Sequence, residues 1–304
     1  MTMFWFKNAI IYRLTKTLDW STDKLQEALQ QCAYSPCDKS DVSKFGWTNP
    51  LHGSELLYHA AENKILLVAM KEEKILPVHV VNNELNKRID ELEKKEERKL
   101  NKFEKQVLKD DVIATLIQQA FSKYKQTAFF IDVKKGLIYV DASSHKQAED
   151  VLALLRKTLG SLPVAPLTLA KEPCFVMTSW VTADKTPEWL DLQGDSKLID
   201  FNSNGEAVLK NQDFHCEDIQ GLLIAGKQVQ SLRLDWDERL QFTLNEDSTL
   251  KRLKFSDNVL DKNDDILKED VEQRFDADFI LMTSVLSELT EMLLNEFGGE
   301  KETE

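Results

Sequence analysis

Residues 85–109 read LNKRIDELEKKEERKLNKFEKQVLK, a stretch with no glycine and no proline. Such a run is committed to helix, because neither residue type that ends helices interrupts it. Arg88, Lys95, Lys102 and Lys109 recur every seven residues, so on one continuous helix they stack along a single face. Leu85, Ile89, Leu92, Leu100, Phe103 and Val107 form a separate apolar seam. The segment therefore has something to pack against and something cationic to present. Two readings fit. Glu91, Glu93, Glu96, Glu97 and Glu104 could neutralise the stripe and leave a solvated helix with i,i+4 pairs, or the stripe could face a polyanion.

Charge distribution bears on that choice. The 304-residue chain carries a net charge of −13, but residues 257–304 hold 15 Asp/Glu against 4 Lys/Arg. From Lys71 to Lys125 there are 13 Lys/Arg against 11 Asp/Glu. The acidic total thus does not exclude nucleic acid as a partner, provided the cations are gathered locally. Hydrophobic content of 42% and charged content of 30% indicate an ordinary globular chain with room for two or three cores.

Several chemistries are missing. There is no G-x-x-x-x-G-K-[ST] loop, no G-x-S-x-G and no H-E-x-x-H. Cys32, Cys37, Cys174 and Cys216 complete no zinc pattern with His52, His59, His79, His145 or His215, so free thiols and no cofactor are expected. Asp276 and Asp278, two apart on a helix, point in different directions and make a poor chelator. Asp132 and Asp141 flank a hairpin and could approach each other, as the carboxylates of a metal-dependent nuclease would; pairing with Lys134 or Lys135 is the plainer use. Trp5, Phe6, Phe129 and Phe130 could stack bases, although their apolar β-runs suit a core better. The N-terminal MTMFWFKNAIIYRL has no long uncharged apolar stretch and is not expected to be a signal peptide. No run suits a membrane span, and a cytoplasmic location is expected.

The pattern predicts a strand over 4–14, a helix after Ser21-Thr22-Asp23, and a loop with Gly46, Trp47, Pro50 and Gly53. A strand over 65–71 follows, then helix from 78 to about 124 with a break at Lys109-Asp110-Asp111. A hairpin at 128–140 turns at Gly136, a helix over 148–159 ends at Gly160, and residues 161–195 are the candidate boundary zone. A three-strand meander spans 231–255, and Asp270 caps a last long helix. The polar tail after Gly298-Gly299 is expected to be mobile.

FWFKNAIIYRL at 4–14, KEEKILP at 71–77, LALLRKTLGSLPVAPL at 152–167, LKRLKFSD at 250–257 and RFDADFILMT at 274–283 resemble the RdgC family of recombination-associated proteins. The resemblance runs in order from residue 4 to about 299. It implies an α+β fold of mixed or antiparallel sheets with packed helices and a protruding helical tip, assembled as a ring-shaped homodimer. Residues 1–76 with 126–170 would form the centre, 77–125 the tip and 171–304 the base. It implies a non-catalytic, nucleoid-associated protein that binds double-stranded DNA without sequence preference and restrains RecA-mediated recombination, with no membrane role. The expected DNA contacts are Arg88, Lys95, Lys102, Lys109, Lys123 and Lys125. Phe121 stands where the family places an aromatic that enters a pocket of the other subunit at the tip, although on its own it could equally be a core anchor. Gln212 and Lys227 match polar residues of the base contact, while Asn211 stands where a lysine is expected.

Overall fold

The computed structural model describes residues 5–17, 21–183, 185–267 and 270–301, with nothing described of the side chains of Thr22 and Asp23. In chain order, strand β1 (Asn8–Leu14) is followed by helix α1 (Thr22–Gln31) and strands β2 (Ser43–Thr48), β3 (Tyr58–Ala61) and β4 (Lys64–Lys74). Two helices come next, α2 (Val78–Glu96) and α3 (Lys102–Ile117), and then β5 (Ser122–Asp132), β6 (Leu137–Val140) and α4 (His145–Leu159). The second half holds β7 (Val164–Pro166), α5 (Pro173–Ala183), β8 (Leu190–Asp200), β9 (Gly205–Leu209), α6 (Glu217–Ile224), β10 (Gln228–Trp236), β11 (Leu240–Asn245) and β12 (Leu250–Phe255). The short α7 (Asp257–Leu260) and the long α8 (Val271–Glu296) close the fold. The architecture is α+β, as expected.

The strands join in the order β2-β4-β5-β6-β1-β12-β11-β10-β8-β9, with β3 beside β4 and β7 beside β1. Every named ladder among the described residues is antiparallel. β1 links the two halves: Ile10–Arg13 pair with β6, while Asn8 and Ala9 pair with Lys251 and Leu250 of β12.

Packing on the two faces explains the sequence patterns. In the first half-sheet, Leu67, Phe129, Ile131 and Ile138 lie in one core with Leu29 of α1 and Val151 and Leu155 of α4. Leu66, Phe130 and Tyr139 lie in a second core with Phe279, Met282 and Leu286 of α8. Both faces are buried, so β4 and β5 are continuous apolar runs rather than alternating ones. Phe130 stacks on Tyr139 with centroids 4.4 Å apart and meets Phe279 edge-on at 6.3 Å. In the second half, Leu232, Leu234, Trp236, Phe242 and Leu244 share the α8 core, while their neighbours alternate toward the other side. Each fully buried side chain of this size contributes about 1.5–3 kcal/mol.

The sequence pattern and the structure part company at several places. Gly46 and Trp47 belong to strand β2, not a loop. Trp47 is 1% exposed and its Nε1 donates to Thr158 Oγ1 at 2.8 Å. Gly46 is needed because a Cβ there would sit 2.6 Å from the Tyr34 backbone nitrogen. The helical break falls at Glu97–Asn101, not at Lys109-Asp110-Asp111. Glu97 is left-handed (φ 54), and Asn101 opens α3 with a capping box: its side chain accepts from the Glu104 N–H while Glu104 accepts from the Asn101 N–H. Strand β5 begins at Ser122, several residues earlier than the apolar run suggests. The 161–195 zone contains α5, whose Met177 and Trp180 join the α8 core. Asp270 caps α8 as expected, accepting from the Gln273 N–H at 3.2 Å, and Gly160 ends α4 with φ 76. The tail after Gly298-Gly299 is expected to be mobile, but Glu300 pairs with Arg13 and the Lys301 N–H donates to the Thr168 carbonyl at 2.8 Å, so its first two residues are tied to the fold; residues 302–304 lie outside the described residues.

Candidate nucleic-acid interface

The break in the helical segment divides the cationic stripe between two helices. Arg88 and Lys95 are on α2, Lys102 and Lys109 on α3, and α2 and α3 pack on each other. Each pair keeps its seven-residue spacing, about 10 Å along its own axis, but the single four-residue face does not exist. Neutralisation by glutamates holds for part of the stretch. Arg88 pairs with Glu84 at 3.2 Å, Arg98 with Glu96 and Glu104 at 2.6 and 2.7 Å, and Lys99 and Lys105 share Glu93. Among the described residues, Lys95, Lys102 and Lys109 have no carboxylate within 4 Å.

Lys123 and Lys125 occupy a different place. The β4–β5 register sets Lys71 directly opposite Lys125 and Glu73 opposite Lys123. These side chains continue the α4-covered face of the sheet beyond the start of α4. With Lys146, Ser144, Gln147 and Asp150 they line a hollow of 280 Å³. Lys125 Nζ donates to Gln147 Oε1 at 2.7 Å. Among the described residues, Lys71, Lys123, Lys125 and Lys146 have no carboxylate within 4 Å. Like charges directly opposite across strands are destabilising, so the Lys71–Lys125 pair works against the fold unless an anion meets it. Lys71 and Lys146 were not picked out by the sequence pattern. They are brought to Lys123 and Lys125 by the strand register and by the start of α4, neither of which shows as periodicity.

The back of the same strand pair is held by a buried carboxylate. Glu72, 2% exposed, accepts from Ser122 Oγ and Tyr34 Oη at 2.6 Å each, from the Cys37 N–H at 2.8 Å and from Tyr124 Oη at 3.3 Å. The hydrogen bonds from Ser122, Tyr34 and Cys37 hold its carboxyl down at about 2. This network fixes the start of β5, and with it Lys123 and Lys125 on the front. The adjacent Phe121 is 85% exposed, and its carbonyl accepts from the Ile75 N–H at 2.8 Å. In this chain it anchors no core.

Gln212 and Lys227 both flank the β8–β9 hairpin. Gln212 is exposed; its N–H donates to the Gly194 carbonyl at 3.0 Å and its side-chain amide to the Lys210 carbonyl at 2.9 Å. Lys227 Nζ donates to the Gly205 carbonyl at 2.5 Å, at the turn between the two strands.

The acidic and aromatic candidates resolve plainly. Asp132 and Asp141 are not brought together. Asp132 lies at the turn of the hairpin, opposite Leu137, whereas the Asp141 N–H donates to the Ala128 carbonyl four residues along β5, a separation of about 13 Å. Asp132 is buried and accepts from the Lys135 N–H (2.8 Å) and Ser287 Oγ (3.4 Å). Asp141 accepts from the Asn8 and Lys7 N–H groups at 2.9 and 3.2 Å, and burial pushes its carboxyl up. Asp276 meets His59 Nε2 at 3.0 Å while Asp278 accepts from Asn263 Nδ2 at 2.9 Å. Among the described residues no group of three or more His, Cys, Asp or Glu is placed to hold a metal ion. Phe6, Phe129 and Phe130 are buried, and Trp5 packs edge-on against Phe255 at 4.7 Å. The four cysteines are free thiols, and no described helix is long and apolar enough to cross a membrane.

These features define a class: an antiparallel α+β protein that gathers lysines on one sheet face beside α4 and holds Glu72, Asp132 and Asp141 by hydrogen bonds within the fold. The chain belongs to the RdgC family. The family model described as "Putative exonuclease, RdgC" matches residues 4–300. The "Recombination-associated protein RdgC" of Pasteurella multocida is 60% identical over 299 residues, covering 98% of this chain and 99% of that protein. The protein of the same description from Mannheimia succiniciproducens is 60% identical with the same coverage. That from Haemophilus influenzae is 55% identical over 298 residues, again covering 98% and 99%.

Proposed function

We propose that the chain binds double-stranded DNA without reading its sequence and restrains RecA-mediated recombination by occupying the duplex. The observation that carries this reading is the facing pair Lys71 and Lys125, gathered with Lys123 and Lys146 around one hollow: four cations against the two acids Glu73 and Asp150, with no ion pair within 4 Å among the described residues. A duplex supplies a dense line of phosphates, and affinity comes from counterion release rather than base contacts. The family membership and the relatives' description as recombination-associated proteins support the same reading. In this account the protein is a ring-shaped homodimer in the cytoplasm, on the nucleoid. Residues 77–125 act as tip, 1–76 with 126–170 as centre and 171–304 as base. Phe121 closes the tip contact, and Gln212 and Lys227 contribute to the base contact.

The rival reading is a metal-dependent nuclease using Asp132 and Asp141; the family model's description supports no more of it than the word exonuclease. It is the weaker one, because those carboxylates lie on neighbouring strands offset by four residue positions, about 13 Å, and are already hydrogen-bonded within the fold. Incubating the protein and duplex DNA with magnesium or manganese separates the two: a binder leaves the strands intact. The test of the binding reading is RecA strand exchange with increasing unrelated competitor duplex and salt. Inhibition should fall with both, because occupancy without an energy source follows mass action. Inhibition that persists after duplex binding has been abolished would point to direct contact with the recombinase instead.

A further inference from the structure

The half-sheet β8–β12 turns Leu198, Leu232, Leu234, Phe242, Leu244 and Leu250 toward α5 and α8. Side chains alternate along a strand, so Arg233, Thr243 and Lys251 point to the opposite side. The register lines these three up across β10, β11 and β12. A second line runs Lys197, Ser231, Asn245 across β8, β10 and β11. All six are half exposed, and with the exposed Lys210 and Arg252 they line a shallow hollow of 220 Å³.

Lys197 is matched by Glu206 at 2.6 Å. Among the described residues, Lys210, Arg233, Lys251 and Arg252 have no carboxylate within 4 Å. The one acid lining the hollow, Asp195, accepts from the Asn211 N–H. In a chain of net charge −13, four adjacent unmatched cations on an open face are complementary to a polyanion. The two lines hold no aromatic residue, whereas surfaces for single strands stack bases on aromatic rings. The chemistry here is phosphate contact, which suits a duplex backbone.

The position of this face agrees. Asn8 of β1 pairs with Lys251, and two residues on, Ile10 and then Tyr12 carry the same face beneath α1 and α4. The open cations and the Lys71–Lys125 cluster therefore share one face of a continuous sheet, with α4 between them.

We propose that the open face of β8–β12 is a second duplex-DNA contact, gripping the phosphate backbone together with the cluster beside α4. The proposal rests on the duplex-binding reading above. The test is the combined substitution Lys210→Gln, Arg233→Gln and Lys251→Gln in the full chain, followed by fluorescence anisotropy on a short duplex between 50 and 200 mM salt. Three lost phosphate contacts should flatten the log–log salt slope by about 2.7 and weaken unrelated duplexes alike. Should the triple variant melt early, Lys251→Gln alone should still remove about 0.9 from the slope. A companion Lys71→Gln, Lys123→Gln, Lys125→Gln variant separates the two ideas. If it loses slope while the sheet variant does not, this inference is wrong and the duplex reading stands. If neither loses slope, both are wrong. Loss confined to single-stranded oligonucleotides would overturn the duplex assignment. A changed oligomeric state in sedimentation with an unchanged slope would show that the face meets protein rather than DNA.

Discussion

Phe121→Ser is the sharpest test of ring closure. The side chain is 85% exposed and sits between α3 and β5, tied to the fold only through its backbone. In the free chain its truncation should leave stability within about 0.5 kcal/mol, as for a surface change. In a closed tip contact the same ring would be engulfed. An aromatic side chain buries about 150–250 Å², so covering its exposed part is worth about 3–5 kcal/mol at ~25 cal/mol per Å². Association costs reduce that figure, and truncating an anchor typically costs about 2 kcal/mol or more. At 2 kcal/mol the tip contact opens about 30-fold more readily. In a two-fold contact the residue acts twice, once from each subunit. The base contact would still hold two subunits together. Sedimentation should therefore show a dimer, thermal melting should be unchanged, and retention on covalently closed duplex circles at raised salt should fall. A melting temperature lowered by several degrees would refute the argument, because the ring would then be supporting the fold. Unchanged retention on circles would refute it differently, by showing that nothing engulfs the ring.

Replacing Arg88, Lys95, Lys102 and Lys109 with Gln together should flatten the duplex salt slope by about 3.6 if all four meet phosphates, and by about 1.8 if only one helix faces the DNA; an unchanged slope would leave the helices as a solvated surface. Gly46→Ala should cost about 1–3 kcal/mol in chemical denaturation, because its Cβ meets the Tyr34 backbone at 2.6 Å and that backbone is held to Trp47. Glu72→Gln should remove part of the acid sensitivity. With its folded-state carboxyl held at about 2 against an ordinary glutamate value of 4.5, Glu72 stabilises the native state above the higher value, and that contribution is lost as pH falls from 4.5 toward 2. Melting curves of the two proteins should therefore converge over that window, and a constant difference down to pH 2 would rule the linkage out.

Much of the fold was legible because patterns within single elements report burial. The unbroken apolar runs in β4 and β5 mark strands buried on both faces, and the alternating β10–β12 mark strands with one open face. Asp270 and Gly160 marked helix ends through the same local chemistry the structure uses. The misses were also local. Asn101 and Glu104 form a recognisable N-x-x-E capping box, but the heptad spacing of the lysines runs straight across it and masks the break. Gly46 read as punctuation because its reason for being glycine is the Ala33–Tyr34 backbone, which sequence spacing does not reveal.

The candidate site divides along the same line. Periodicity can place residues of one element on one face, so Arg88 with Lys95 and Lys102 with Lys109 each remain valid pairs, although the four-residue stripe does not. It cannot say what stands opposite on the next strand. Lys71 sits 54 residues from Lys125, yet the β4–β5 register makes them direct neighbours. Arg233 and Lys251 are likewise aligned only through β11. Lys71, taken singly, is an ordinary surface residue with an acidic neighbour in sequence, Glu72. Folding removes that neighbour: Glu72 turns to the back of the strand, into hydroxyl groups, while Lys71 and Lys125 remain on the front. The local excess of cations is thus created by strand alternation and register, and an acidic chain can still present a surface suited to phosphate.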